Sequence, residues 1–513
     1  MPTSKKYLKE QKSKKTKQNQ SLDSRISTNF GPACLKLPSS PDEYLAAGVD
    51  FEEGGEKWRA GDPVKSMRFF NRAIDCYNEA LKKFPGSFDL AYNRARIQYE
   101  VTQHPKLLRL LPDSPFESLQ TALASSKYAL SLQPENPDAL FNNAQVLTSI
   151  IEELDGLPHP SFPEPGQVLH EALLLFQKCL QEQEAAAREN LDQSTAMMNY
   201  SDTMDFESAS GDLTVKNCLP SNDSEDLALK DERWATVIEP VTSDTLLDTI
   251  LASLETLSTF CQLISPKNPN EIHKAQEYAE YLNSKLEIYL TNRTRFTEAR
   301  VTQSSLTCAL ANAQFHLSLI DIATYSRIIH DAYKDIDLSS NPKGLCDFAE
   351  FLVLYNSVLR FEQSGSTHEN LGVRWEVLTK ALDKLSSASK LPNAENVEKI
   401  HLARGNVELL RFQLGQSEHP LAVAKENGQV LLKNAGKYFR GSSAIAKSNG
   451  MVEIEFEANL KELLTSALVS DEKRLWQYEH TRHQKASSIF RDAVDEGLIT
   501  IFQLTKAGFE FTS

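Results

Sequence analysis

The chain has 513 residues, 41% hydrophobic and 24% charged, which excludes a wholly disordered polymer and leaves room for several domains or one long array. Its net charge of −15 argues against generic nucleic-acid binding, which needs clustered Lys and Arg, and is compatible with basic partners or with solubility alone. No apolar run approaches the ~20 residues of a bilayer span, and no apolar h-region follows the N-terminal lysines, so neither a membrane segment nor a secretory signal is expected.

In chain order, residues 1–40 predict a disordered basic tail. Lys5, Lys6, Lys14, Lys15 and Lys17 alternate there with Ser, Thr, Gln and Asn, too few apolar groups to offset ordering entropy. They read either as a nuclear-import address or as a solubilising tail, which sets the expected localisation as cytoplasmic and nuclear. Helical periodicity begins near Val49. A first helix ends at Gly61-Asp62, and Met67, Phe70, Ala73, Ile74, Tyr77, Ala80, Leu81 and Phe84 lay one apolar face on a second, which Pro85-Gly86 stops. A second unit pairs Leu90–Tyr99 with Leu119–Leu130, joined by a loop holding Pro105, Pro112 and Pro115. A third pairs Ala139–Leu147 with Leu169–Leu180.

Aligning these units exposes an internal repeat. Ala73, Tyr77, Ala80-Leu81 and Pro85 share their spacing with Ala122, Ser126, Ala129-Leu130 and Pro134, and Tyr92-Asn93-Arg94-Ala95 matches Phe141-Asn142-Asn143-Ala144. Small residues at these places permit close helix–helix approach. The string resembles the second half of the tetratricopeptide repeat, and Gly54 with Gly61-Asp62 resembles its first half. The match spans about 49–150 and weakens afterwards, with long loops inside the hairpins. A Lys-rich head on an irregular array is similar to that of uncharacterised fungal tetratricopeptide-like proteins. The resemblance implies an all-α, irregular α-solenoid of antiparallel helix pairs, with residues 41–180 as the N-terminal repeats.

Residues 181–240 lose apolar periodicity and are rich in Gln, Glu, Ser, Asp and Asn, which predicts an acidic, disordered insertion. Helices resume at Thr245, with Ser243-Asp244 as the expected cap, and continue through 241–513 as C-terminal repeats and a cap. A long helix is expected near 295–322. His401–Gly415 is the clearest late unit, with Gly405 at the small-residue position and a partner from Val430 to Ala446. The last helices, with Trp476, Phe490, Ile499 and Phe502, are expected to close the open end.

Chemistry is hard to find. No phosphate-binding Gly-Lys loop, dinucleotide glycine fingerprint, Gly-x-Ser-x-Gly elbow or His-Glu-x-x-His occurs. Seven cysteines stand singly, reading as reduced thiols, and His480 and His483 lack a third ligand nearby, so no cofactor, metal or catalytic residue is expected. The repeat resemblance implies a concave groove lined by first-helix positions, here Asn93, Arg96, Asn142 and Gln145, whose amides can bond an extended peptide. Relatives that grip acidic chaperone tails clamp two carboxylates with Lys and Asn. Phe51, Gly55 and Asp138 stand at the clamp positions, so that ligand is not expected. The sequence thus reads as a non-catalytic scaffold, adaptor or chaperone for a protein segment. The alternatives are a structural subunit of a larger complex and an assembly chaperone of a basic client such as a ribosomal protein.

Overall fold

The computed structural model describes residues 38–154, 158–204, 241–291, 295–361, 368–417, 419–470 and 480–511. Among them are nineteen helices and no strand. They run α1 (Pro41–Arg59), α2 (Pro63–Lys83), α3 (Phe88–Thr102), α4 (Pro105–Leu108), α5 (Pro115–Leu132), α6 (Pro137–Glu153) and α7 (Pro165–Met204). Then follow α8 (Ser243–Leu263), α9 (Glu271–Tyr289), α10 (Phe296–His316), α11 (Ile322–Ala332), α12 (Pro342–Phe361) and α13 (His368–Ala388). The chain ends with α14 (Val397–Gln413), α15 (Ala422–Glu426), α16 (Gly428–Asn449), α17 (Val452–Ser470), α18 (His480–Asp495) and α19 (Ile501–Lys506).

Consecutive long helices pack as hairpins: α1 with α2, α3 with α5, α6 with α7, α8 with α9, α10 with α11, α12 with α13 and α14 with α16. Each hairpin stacks on the next, so the chain is an all-α solenoid. The apolar stripe read on α2 is its buried face, with Phe70, Ala73, Tyr77 and Ala80 fully covered. The small residues of the internal repeat, Ala80, Ala95, Ala129 and Ala144, are all buried, as close helix approach requires. Gly405 does the same on α14. A Cβ there would lie 2.3 Å from the Phe439 ring of α16, so only glycine admits that ring.

The prolines start helices as well as ending them. Pro41, Pro63, Pro105, Pro115 and Pro137 all sit in a first turn, where the missing N–H costs nothing. Ser40, Asp62, Ser114 and Asn136 cap four of these helices through their side chains. At α8 the cap is Thr242, one residue before the expected Ser243, and it accepts from the Thr245 N–H.

Three boundaries differ from the sequence reading. Helix α7 runs on to Met204, into the stretch 181–240 expected to be disordered; residues 205–240 lie outside the described ones. The run Gln181–Leu191 carries Ala185-Ala186-Ala187 among Gln, Glu and Arg, and this intrinsic propensity sustains a helix where apolar periodicity has lapsed. Near 295–322 the long helix stops at His316, and Ser318 takes a positive φ of 57° before α11 begins. At the C-terminal end Phe490 and Ile499 are buried, whereas Phe502 is 77% exposed; Trp476 lies outside the described residues.

Candidate functional site

Polar contacts join several of the helices that open successive hairpins. Tyr99 on α3 meets Ser149 on α6 at 2.9 Å. Thr148 on α6 meets Thr256 on α8 at 3.0 Å. Lys343 on α12 reaches Glu255 on α8 at 3.6 Å and Asp347 on its own helix at 2.9 Å. Ser305 on α10 donates to Asp347 at 2.9 Å, and Lys461 on α17 donates to Asn406 on α14 at 3.1 Å.

Between α8, α10, α12 and α14 lies a groove of about 920 Å³. Its walls are apolar, with Val301, Val353, Leu354, Ile400, Val407 and Leu410, while six carboxylates and two lysines supply the charge. The carboxylates are Glu255, Glu298, Asp347, Glu350, Glu395 and Glu496; the lysines are Lys343 and Lys399. Lys343 is already engaged by Glu255 and Asp347, and Glu298 by Arg295 at 3.0 Å. Glu350 and Glu496 have no hydrogen-bond or ion-pair partner among the described residues.

The walls act on these carboxyls. Glu350 is exposed at the groove surface, yet protein replaces enough of the surrounding solvent that desolvation, followed by the charge of Asp347, pushes its carboxyl up. Desolvation raises Glu496 too, against the pull of Lys461. On α6, burial lifts the Glu152 carboxyl to about 7, and Glu255 adds to the shift. Desolvation works against the Lys343 ammonium, but Asp347 and Glu255 outweigh it and hold the charge in place. Cys346 also lines the groove. Burial, with Asp347 and Glu350 nearby, pushes its thiol up to about 12, so at neutral pH it stays protonated and is a poor nucleophile.

The four candidate groove residues of the N-terminal repeats sit elsewhere, on α3 and α6. Arg96 is 13% exposed and pairs with Glu52 of α1 and, at 3.4 Å, with Glu100 of α3. Glu52 also accepts from the Tyr77 hydroxyl at 2.6 Å, and Arg59 joins Glu100 at 2.9 Å, so these charges lock α1, α2 and α3 together. Asn93 donates to the Asp89 carbonyl at 2.8 Å and accepts from Arg96 at 3.2 Å. Asn142 is buried and its Nδ2 has no hydrogen-bond partner among the described residues, while Gln145 is half-buried. The structure thus bonds Asn93 to Arg96 and directs Arg96 toward Glu52 of the preceding hairpin and Glu100 of its own helix. Lys5, Lys6, Lys14, Lys15 and Lys17 lie outside the described residues.

Sequence reasoning missed Glu350, Glu496 and Lys343. Asp347 and Glu350 stand three apart on one helix face, a readable signal, but Glu255, Glu395 and Glu496 join them only through superhelical stacking. No group of three or more His, Cys, Asp or Glu residues placed to hold a metal occurs among the described residues, and no helix there is long and apolar enough to cross a membrane.

A second, smaller cavity of about 320 Å³ marks where the array meets itself. Arg59, His104 and Leu107 face Asn396, Glu398 and Asn449 across it. Beside it, Arg109 donates to the Asn449 carbonyl, and Gly450 follows at φ 62°, where a Cβ would run into the Arg109 guanidinium. Asn396 lines both this cavity and the large groove.

No family model matches the chain. The chain is similar to UPF0656 protein C926.02 of Schizosaccharomyces pombe (strain 972 / ATCC 24843), 24% identical over 442 residues that cover 80% of this chain and 87% of that protein. Among solved structures, it aligns with a circular tandem repeat protein with novel repeat topology and enhanced subunit contact surfaces. That alignment has 11% identity and a TM-score of 0.25, over 91% of this chain and 98% of the other.

Proposed function

We propose that this chain is a non-catalytic, tetratricopeptide-like scaffold that holds an extended basic segment of a protein partner in the groove between α8, α10, α12 and α14. The observation that carries this reading is the pair of unpartnered carboxylates, Glu350 and Glu496, in a groove whose six acidic groups face two lysines. An ionised carboxylate in such surroundings gains most from a cationic partner that replaces the solvent it has lost. The apolar walls would cover the aliphatic stems of Lys or Arg while the charged heads meet the carboxylates. An adaptor or a chaperone of a basic client, such as a ribosomal protein, uses this geometry directly. A nucleocytoplasmic distribution, with the Lys-rich head as import address, belongs to the same reading.

Fluorescence anisotropy with a labelled arginine-rich decapeptide tests it. The wild-type chain is expected to bind, and a Glu350→Lys, Glu496→Lys double variant with an unchanged melting profile is expected to bind at least tenfold more weakly. Equal binding by both chains defeats the reading.

A further inference from the structure

The first twenty residues of this chain carry seven lysines against one glutamate, and Tyr7-Leu8 stands between Lys5-Lys6 and Lys9. A cationic stretch with a short apolar centre complements a groove of apolar walls and surplus carboxylates. We propose that the chain's own Lys-rich head, residues 5–17, occupies the groove in cis and that a partner's basic segment must displace it. This rests on the proposed basic-segment groove and adds its regulation.

The chain can reach. The head enters the described structure at α1, whose 19 residues span ~28 Å at 1.5 Å each. The far end of α1, Arg59, lines the small cavity together with Asn396, and Asn396 also lines the groove. Residues 18–40 extend ~75 Å when stretched at ~3.3 Å each, more than enough to double back along α1. Tethering matters more than reach. A linked segment is present at an effective concentration on the order of millimolar, so even a weak intramolecular contact keeps the groove filled until a better ligand arrives. The occupant also answers a problem of charge, because Glu350 and Glu496 gain cationic partners in the free protein.

The test compares two full-length chains: the wild type, and a head variant with Lys5→Gln, Lys6→Gln, Lys9→Gln, Lys12→Gln, Lys14→Gln, Lys15→Gln and Lys17→Gln. Both are titrated with a labelled synthetic peptide of residues 1–20 and, separately, with the arginine-rich decapeptide. The head variant is expected to bind each probe at least fivefold more tightly than the wild type, and Glu350→Lys with Glu496→Lys added to it is expected to remove the gain. Equal affinity of both chains for the decapeptide overturns the cis occupant and leaves the groove intact as a binding site. Failure of both chains to bind either probe overturns the groove reading, and this inference with it. Carbodiimide coupling of the wild-type chain gives an independent readout, joining a head lysine to Glu350 or Glu496. Coupling of the head only to carboxylates on the outer helices also overturns the proposal.

Discussion

Arg96 stands between two buried carboxylates, Glu52 at 3% exposure and Glu100 at 4%. Its guanidinium can serve both because its donors fan out in a plane, which a lysine cannot imitate. Removing it strips Glu52 of its counter-charge and leaves Glu100 with Arg59 alone, the situation in which breaking a buried pair is costly. Arg96→Ala is therefore expected to destabilise the fold by about 3–5 kcal/mol in urea unfolding. A loss below ~1 kcal/mol would contradict the structural role assigned here. Asn93 shows the same ordering on a smaller scale, since its amide is held by Asp89 and Arg96.

Among the helices, small residues decide how closely neighbours approach. On α14, Gly405 admits the fully buried Phe439 ring, and a methyl group there meets ring carbons at 2.3 to 2.7 Å. Gly405→Ala is expected to force α14 and α16 apart, lowering stability by about 1–3 kcal/mol despite alanine's better helix propensity. Thermal unfolding checks this, and an unchanged or raised midpoint would show that the ring can move. Gly405 was legible in the sequence because the small-residue position recurs, as were the stripe on α2 and the alanines at 80, 95, 129 and 144. Each is encoded within one helix or one hairpin. The extension of α7 was hidden, because Ala and Gln hold a helix without marking an inner face. The groove was hidden for another reason: Glu255, the Asp347–Glu350 pair and Glu496 come from three separate stretches of chain, and only the stacking of hairpins brings them together. The residues chosen from the N-terminal repeats lie on α3 and α6, where the chain's own carboxylates engage Arg96.

At the scale of the molecule, two groove acids, Glu350 and Glu496, share raised values with Glu152, which lies outside the groove lining and feels it through the charge of Glu255. Burial lifts Glu152 to about 7, and Glu350 and Glu496 are raised as well. An acid whose folded value is raised adds stability below its unfolded value, and loses it as pH rises through the folded one. The free chain should therefore lose stability between about 4.5 and about 7 through Glu152. A cationic ligand reverses the preference, because it favours the ionised forms and its binding releases protons. Affinity for the arginine-rich decapeptide is thus expected to rise at least threefold from pH 6 to pH 8, and Glu152→Gln to flatten that rise. A pH-independent affinity would separate Glu152 from the groove. The contact of Arg109 with Asn449 bears on which molecules can use the site. An open solenoid is a spring that widens to admit a folded domain; a seam between its second and seventh hairpins resists that widening. Under the proposed function, such a seam favours a segment that has not yet folded, which can be threaded, over a folded domain, which needs the array to widen, so capture would be timed by the partner's own folding rather than by affinity alone.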